Sequence, residues 1–221
     1  MLKTGKEADV FLLRREVPDT ERSCLLAAKR YRDDRHRQFH RSAVYQEGRR
    51  TRKTRDARAM RNRSTFGRQL AAGHWARAEF DALRMLHQLG AAVPYPAQIL
   101  GTELLLEFIG DADGVPAPRL AEITTRGGRL ADLWQQAVEL MVGLAAAGYA
   151  HGDLSEFNLL VQDDRLLMID LPQLVDVVTN PQGPSFLDRD ASTVAGWFRR
   201  RDLAVDTAEL LDTLHREARI C

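Results

Sequence analysis

The hydrophobic pattern begins with two short apolar runs separated by a turn. Val10-Phe11-Leu12-Leu13 follows the small and polar stretch Thr4-Gly5-Lys6-Glu7-Ala8, and Cys24-Leu25-Leu26-Ala27-Ala28 ends in Lys29. Pro18-Asp19-Thr20 lies between them, so the two runs predict a β-hairpin. Asp33 to Gly67 has little apolar periodicity and predicts a mobile or part-helical insertion. Trp75, Phe80, Leu83, Leu86 and Leu89 fall near one face of a helix, with Gly90 as its stop. Pro94 and Pro96 then break the chain. Ile99-Leu100 and Leu104 to Ile109, around Gly101-Thr102, predict a second hairpin. Gly110 to Pro118 carries two Gly and two Pro and marks a linker. Leu130 to Ala147 predicts a long amphipathic helix with Leu133, Ala137, Leu140, Met141 and Leu144 on one stripe. After the polar loop His151 to Asn158, the runs Leu159-Leu160-Val161 and Leu166 to Ile169 flank Gln162-Asp163-Asp164-Arg165 as a tight hairpin. Asp188 to Arg219 reads as two helices.

This order predicts an α+β fold of two lobes with a cleft between them. A small β-rich lobe spans 1–110 with an insertion at about 33–68, and a larger helical lobe spans 111–221. The 221 residues are 44% hydrophobic and 29% charged, which excludes a wholly disordered chain. No apolar run approaches the roughly 18 residues of a membrane span. The N-terminus lacks the apolar core of a signal peptide. Two cysteines, Cys24 and Cys221, exclude a disulfide framework, so a reducing cytoplasm is expected. Charge changes the picture more. Lys29 to Arg68 holds 15 Lys and Arg against 4 Asp and Glu, while the rest of the chain holds 17 basic and 27 acidic residues. A basic block on an acidic body sets up a local field that attracts phosphates, or else is a solvated insertion.

The strongest chemical signal is His151-x-Asp153-x4-Asn158, followed twelve residues later by Asp170. Phosphoryl transfer from ATP needs one carboxylate to orient or deprotonate the attacking hydroxyl, and oxygen ligands to hold Mg²⁺ on the phosphates. The hairpin between Asn158 and Asp170 brings both candidate ligands to one end of one unit. A lone Asp-x4-Asn is as readily a turn with local hydrogen bonds; the full set points to chemistry. Lys29, at the end of an apolar strand, fits a phosphate-contacting lysine, and Glu79 on the following helix fits its acidic partner. Taken singly, each is an ordinary surface residue. There is no G-x-G-x-x-G loop and no Walker A motif. Thr4-Gly5-Lys6-Glu7-Ala8 stands where a phosphate-covering loop would stand, with a hydroxyl, a lysine and backbone N–H groups to offer.

These residues resemble the RIO atypical serine/threonine protein kinases. Thr4 to Phe11 resembles the family's S-T-G-K-E-A-x-V-[YF] loop, His151 to Asn158 its H-[AG]-D-L-S-E-[YF]-N motif, and Ile169 to Gln173 its I-D-[VL]-x-Q motif. Phe186-Leu187-x-Arg189-Asp190, closing on Trp197-Phe198, is similar to the end of that domain, and Trp75-Ala76-x-x-Glu79 fits as well. The resemblance implies a reduced two-lobed kinase fold, ATP and Mg²⁺. By position it makes Asp153 the proton acceptor, Asn158 and Asp170 the Mg²⁺ ligands, and Lys29 a phosphate contact. It makes Leu106 to Gly110 the hinge, with backbone groups of Glu107 and Ile109 meeting adenine. It also implies that Asp170 can accept the γ-phosphoryl group as an aspartyl-phosphate, so that an ATPase switch stands beside the protein kinase. Family members act in maturation of the small ribosomal subunit, which makes RNA or that subunit the expected partner of segment 29–68. With three residues before Thr4, the strand leading into the loop is expected to be missing or very short. With no winged-helix segment before the loop, the type-1 branch is the nearer one. Pro172 and Gly152, which stand where Ser and Ala are common, are expected to be tolerated. A small-molecule phosphotransferase of the aminoglycoside or choline kinase kind shares H-G-D-x4-N and is the rival enzyme. A nucleotide-gated RNA-binding module with weak catalysis is the rival of another class.

Overall fold

The structure, a computed structural model, describes residues 1–5, 7–32 and 65–220, with the side chains of the first helix from Leu70 onward. The chain divides into two compact units. One comprises Met1–Met85 and Pro94–Pro116, the other Leu86–Val93 and Ala117–Cys221. The third crossing, after Pro116, lies inside the Gly- and Pro-rich stretch 110–118. Most of the insertion, residues 33–64, lies outside the described residues, as does Lys6.

The first unit is a five-stranded antiparallel sheet in the order β1-β2-β3-β5-β4. Its strands are β1 (Lys3–Thr4), β2 (Ala8–Glu16), β3 (Ser23–Tyr31), β4 (Pro96–Leu100) and β5 (Glu103–Glu107). The strand ahead of the phosphate-loop candidate is two residues long and pairs Lys3 with Val10 and Thr4 with Asp9. The first hairpin closes through Val17 N–H to the Arg22 carbonyl, with Asp19 at a positive φ of 61°. β3 is central: Lys29 stands opposite Val10 on one side and the fully buried Leu104 on the other.

The helix α1 (Thr65–Gln88) is longer than its apolar pattern indicated, and its inner face keeps Leu83 and Leu86 but not the expected rings. Ala72, Ala76, Glu79, Ala82, Leu83 and Leu86 are the buried positions. Trp75 and Phe80 are half-buried, and Leu89, beyond the helix end, is 63% exposed. Small residues take the remaining inner positions, and a Cβ on Gly73 would lie 3.8 Å from the Gly101 carbonyl. The stop at Gly90 is as expected, with a φ of 79°.

The second unit is built on α2 (Gly128–Ala146), α3 (Gly183–Arg199) and α4 (Thr207–Glu217). α2 buries Leu130, Leu133, Ala137, Met141, Leu144 and Ala145, and ends before Gly148 at a φ of 82°. Trp134 and Trp197 each meet Phe198 edge to face, at 5.2 and 4.8 Å between ring centroids. α4 is capped by the Asp206 carboxylate, which accepts the Glu209 N–H. Two short antiparallel pairs complete the unit. β6 (Tyr149–Ala150) pairs with β9 (Val175–Asp176), and β7 (Leu159–Gln162) with β8 (Arg165–Met168). The β7–β8 turn has Asp163 and Asp164 at φ of 49° and 62°, the backbone of a two-residue type I′ connection.

α3 starts five residues before Asp188, where the sequence pattern put the first C-terminal helix, because Pro184 stands in its first turn. The loop into it is tight. The Gly183 N–H donates to the Asn180 carbonyl, and a Cβ on Gly183 would lie 2.4 Å from Cα of Val177. Gly183→Ala is therefore expected to displace the start of α3 and cost about 1–3 kcal/mol of stability, measured as a lower urea midpoint with unchanged slope.

Candidate active site

In the first unit, β3 and α1 bring three polar side chains together. Lys29 Nζ lies 2.7 Å from Glu79 Oε1, and the Tyr31 hydroxyl donates to Glu79 Oε2 at 2.6 Å. Glu79 is 1% exposed, at a position where every helical neighbour on its face is apolar. A carboxylate so placed is stable only when paired and hydrogen-bonded, and both of its oxygens are. The expected Lys29–Glu79 pair is thus present. Within the phosphate-loop candidate, the Gly5 N–H donates to the Ala8 carbonyl at 2.9 Å. Thr4 is exposed, and its hydroxyl meets the Met1 sulfur at 3.3 Å. Asp9 and Arg32 form a two-point pair at 2.8 and 2.6 Å that ties this turn to the end of β3, and Arg32 holds the Asp9 carboxyl below its ordinary range. At the hinge candidate, the Glu107 N–H donates to the Tyr95 carbonyl, and the Glu107 carboxylate accepts the Tyr95 N–H at 3.0 Å. Ile109 is buried.

In the second unit, the loop from His151 to Asn158 carries the carboxylate and the amide. Asp153 is exposed. Its N–H donates to His151 Nδ1 at 3.3 Å, so the His151 proton sits on Nε2, which donates to the Ile169 carbonyl at 3.0 Å. One buried imidazole thereby links the residue two after it to the residue before Asp170. Asn158 Nδ2 donates to the Asp153 carbonyl at 2.8 Å, which leaves Oδ1 as the acceptor end of that side chain. The Ile169 N–H donates to the Asn158 carbonyl and continues the β7–β8 ladder by one step. Asn158 and Asp170 therefore flank the open end of that hairpin, as their spacing indicated. Asp170 is exposed and has a φ of 67°, a left-handed conformation that is rare outside glycine and concentrates at functional sites. Gly152 has a φ of 88°, at which alanine would strain the loop. Pro172 is buried beside Leu171.

The loop is held from behind by α3. The Asp190 carboxylate accepts the Gly152 N–H on Oδ2 at 2.8 Å and the Leu154 N–H on Oδ1 at 3.0 Å. The neighbouring Arg189 guanidinium donates to the Gly152 carbonyl. Asp190 is 3% exposed. Burial pushes its carboxyl above the ordinary range, and the two N–H groups and Arg189 restrain the rise.

The model of the RIO domain family matches residues 21–210, and the chain belongs to that family. It is 37% identical over 138 residues to the RIO-type serine/threonine-protein kinase Rio1 of Haloferax volcanii, a match covering 62% of this chain and 46% of that protein. Against the Rio1 of Thermoplasma acidophilum it is 28% identical over 143 residues, covering 65% and 73%. The chain thus spans less than half the length of the Haloferax relative. Among solved structures, a Rio2 kinase–ADP/Mg²⁺–phosphoaspartate complex from Chaetomium thermophilum superposes with a TM-score of 0.69 at 22% identity, over 96% of this chain and 60% of that one. At that identity the likeness shows the fold, an α+β kinase fold with a sheet in its N-terminal part and helices in its C-terminal part. Family membership favours the RIO reading over an aminoglycoside or choline kinase.

The pattern of residues did not assign Asp190 a role. The available signal was its place on α3, where Leu187, Asp190, Ala191, Val194 and Phe198 form one buried stripe with a charge inside it. Asp190→Asn leaves one acceptor for two buried N–H groups, with an NH₂ facing the second. It is expected to cost about 1–3 kcal/mol. The sign with pH also follows. A carboxyl raised above 3.8 in the folded state favours folding fully below that value and loses the contribution as pH rises through the raised one. Thermal unfolding across pH is expected to show this decline in the wild type and not in Asp190→Asn.

Proposed function

We propose that this chain transfers the γ-phosphoryl group of ATP to serine or threonine hydroxyls and, through Asp170, also acts as an ATPase. The observation that carries the reading is the His151 link, which organises the Asp153 loop and the approach to Asp170 on one hairpin. In the forward step, the Asp153 carboxylate takes the proton of the acceptor hydroxyl as its oxygen bonds to the γ-phosphorus. The bond from that phosphorus to the β,γ-bridging oxygen breaks, and ADP departs. Lys29, set by Glu79, contacts phosphate, and the Glu107 carbonyl and Ile109 backbone contact adenine. In the ATPase branch, Asp170 takes the phosphoryl group and water then hydrolyses the acyl phosphate. The named relatives are serine/threonine kinases, and the Rio2 complex holds ADP, Mg²⁺ and phosphoaspartate, which supports both branches.

The donor set suits Mg²⁺. Asn158 Oδ1 and the Asp170 carboxylate are hard oxygen ligands, and among the described residues no three His, Cys, Asp or Glu side chains cluster. Mg²⁺ is commonly held by one or two such groups together with water and phosphate oxygens. When bound, it neutralises charge on the transferred phosphate. Asp153→Asn is expected to lower autophosphorylation and ATPase rates by about 10²–10⁴-fold with Mg·ATP affinity little changed, whereas Asp170→Asn lowers both. Wild-type rates for Asp153→Asn, measured with γ-labelled ATP, would refute the assignment.

The basic segment 29–68 supports a second role, binding of RNA or the small ribosomal subunit, since 15 basic residues stand there against 4 acidic ones. Its core lies outside the described residues. Charge reversal of Arg49, Arg50, Arg52 and Lys53 to Glu is expected to weaken RNA binding and to reduce the slope of log K against log salt by about 0.7–0.9 per lost phosphate contact, with Mg·ATP affinity unmoved. Among the described residues, no helix is long and apolar enough to cross a membrane, and a cytoplasmic location is part of this proposal.

A further inference from the structure

Tyr31 closes β3 two residues beyond Lys29, so the two side chains stand on one face of the strand. It is 3% exposed. Its hydroxyl donates to one oxygen of Glu79 while the Lys29 ammonium holds the other. The same ammonium lies 5.1 Å from the centroid of the Tyr31 ring. Tyr31 therefore touches both members of the ion pair, with its polar tip on the acid and its π face toward the base. The geometry constrains the carboxylate. With a donor on each oxygen, Glu79 has one orientation that satisfies it. With the hydroxyl gone, Oε2 is a buried acceptor that lacks this donor, and the carboxylate can turn to take the ammonium on both oxygens.

We propose that Tyr31 is a positioning residue for nucleotide binding: its hydroxyl occupies Glu79 Oε2 so that Lys29 meets Glu79 through Oε1, with its ammonium set for phosphate before ATP arrives. The proposal rests on the reading of Lys29 as a phosphate contact. Without the hydroxyl, only a fraction of molecules holds Lys29 in that place. Apparent affinity for ATP then falls by that fraction, while the complex, once formed, reacts as before.

Tyr31→Phe keeps the ring and removes the donor. In the full chain, Kd and KM for Mg·ATP are expected to rise roughly 5–20-fold with kcat within about twofold. In a Glu79→Ala background the same substitution is expected to change Kd by less than about twofold, because the hydroxyl then has nothing to hold. Calorimetry reads Kd on the folded fraction, so partial unfolding of a variant lowers the stoichiometry and leaves the test intact. A fall in Tm of equal size in both backgrounds with Kd unchanged would mean that Tyr31 only packs, and would overturn the proposal. A loss confined to kcat would overturn it as well. Lys29→Met separates the two layers. If it leaves ATP affinity unchanged, the phosphate reading of Lys29 falls and this proposal with it. If it weakens ATP binding and Tyr31→Phe does not, only the role of Tyr31 falls.

Discussion

A carboxylate inside a protein must be met by donors on each oxygen, and two such carboxylates organise this chain. Asp190 stands on the inner stripe of α3 and Glu79 on the inner face of α1. Neither can be left half-satisfied without a penalty comparable to a good part of a domain's net stability. The need for donors draws specific chain to each. Around Asp190 it draws the amides of Gly152 and Leu154, which fixes the backbone on both sides of Asp153. Around Glu79 it draws Lys29 and Tyr31 from β3. In both cases a group that touches no substrate determines where an exposed or half-exposed one points.

The two carboxylates lie in different units. The first unit holds Glu79 with Lys29 and Tyr31. The second holds Asp190 with the loop and hairpin that carry Asp153, Asn158 and Asp170. Within the second unit rigidity is graded. The loop is pinned from behind by α3 and from the side by His151, while Asp170 sits beyond the last ladder bond in a left-handed conformation. Strain of that kind persists only where the surroundings enforce it, and here they do so at the residue that would change its bonding most during turnover.

Much of this was legible in the sequence because it is local. The hairpins showed as paired apolar runs, α2 as a 3.6-residue stripe, and the Asp153–Asn158–Asp170 set as fixed spacings around a turn. The Lys29–Glu79 pair was legible only through its order along the chain and the family resemblance. What escaped was long-range or a matter of size. The inner face of α1 was read correctly at Leu83 and Leu86, while Trp75 and Phe80 were expected inside where Ala72, Ala76 and Ala82 are buried instead. Asp190 and Tyr31 act on partners 36 to 48 residues away, a distance no window spans. The bond from the Gly5 amide to the Ala8 carbonyl depends on a backbone conformation that residue identities do not specify.

The β7–β8 hairpin separates distance in space from distance along the chain. Asn158 and Asp170 belong to its open end, and the residues that count out their twelve-position interval run away from that end to the Asp163–Asp164 turn and back. Adding two residues to each strand would lengthen the ribbon outward, keep its buried face inward and leave Asn158 and Asp170 where they are. The interval is therefore a free length, set by packing against the rest of the unit and not by the chemistry at its mouth. Homologous chains with longer or shorter ribbons can keep the same two side chains at the open end, and a tag or reporter placed at the turn would sit at the end away from Asn158 and Asp170.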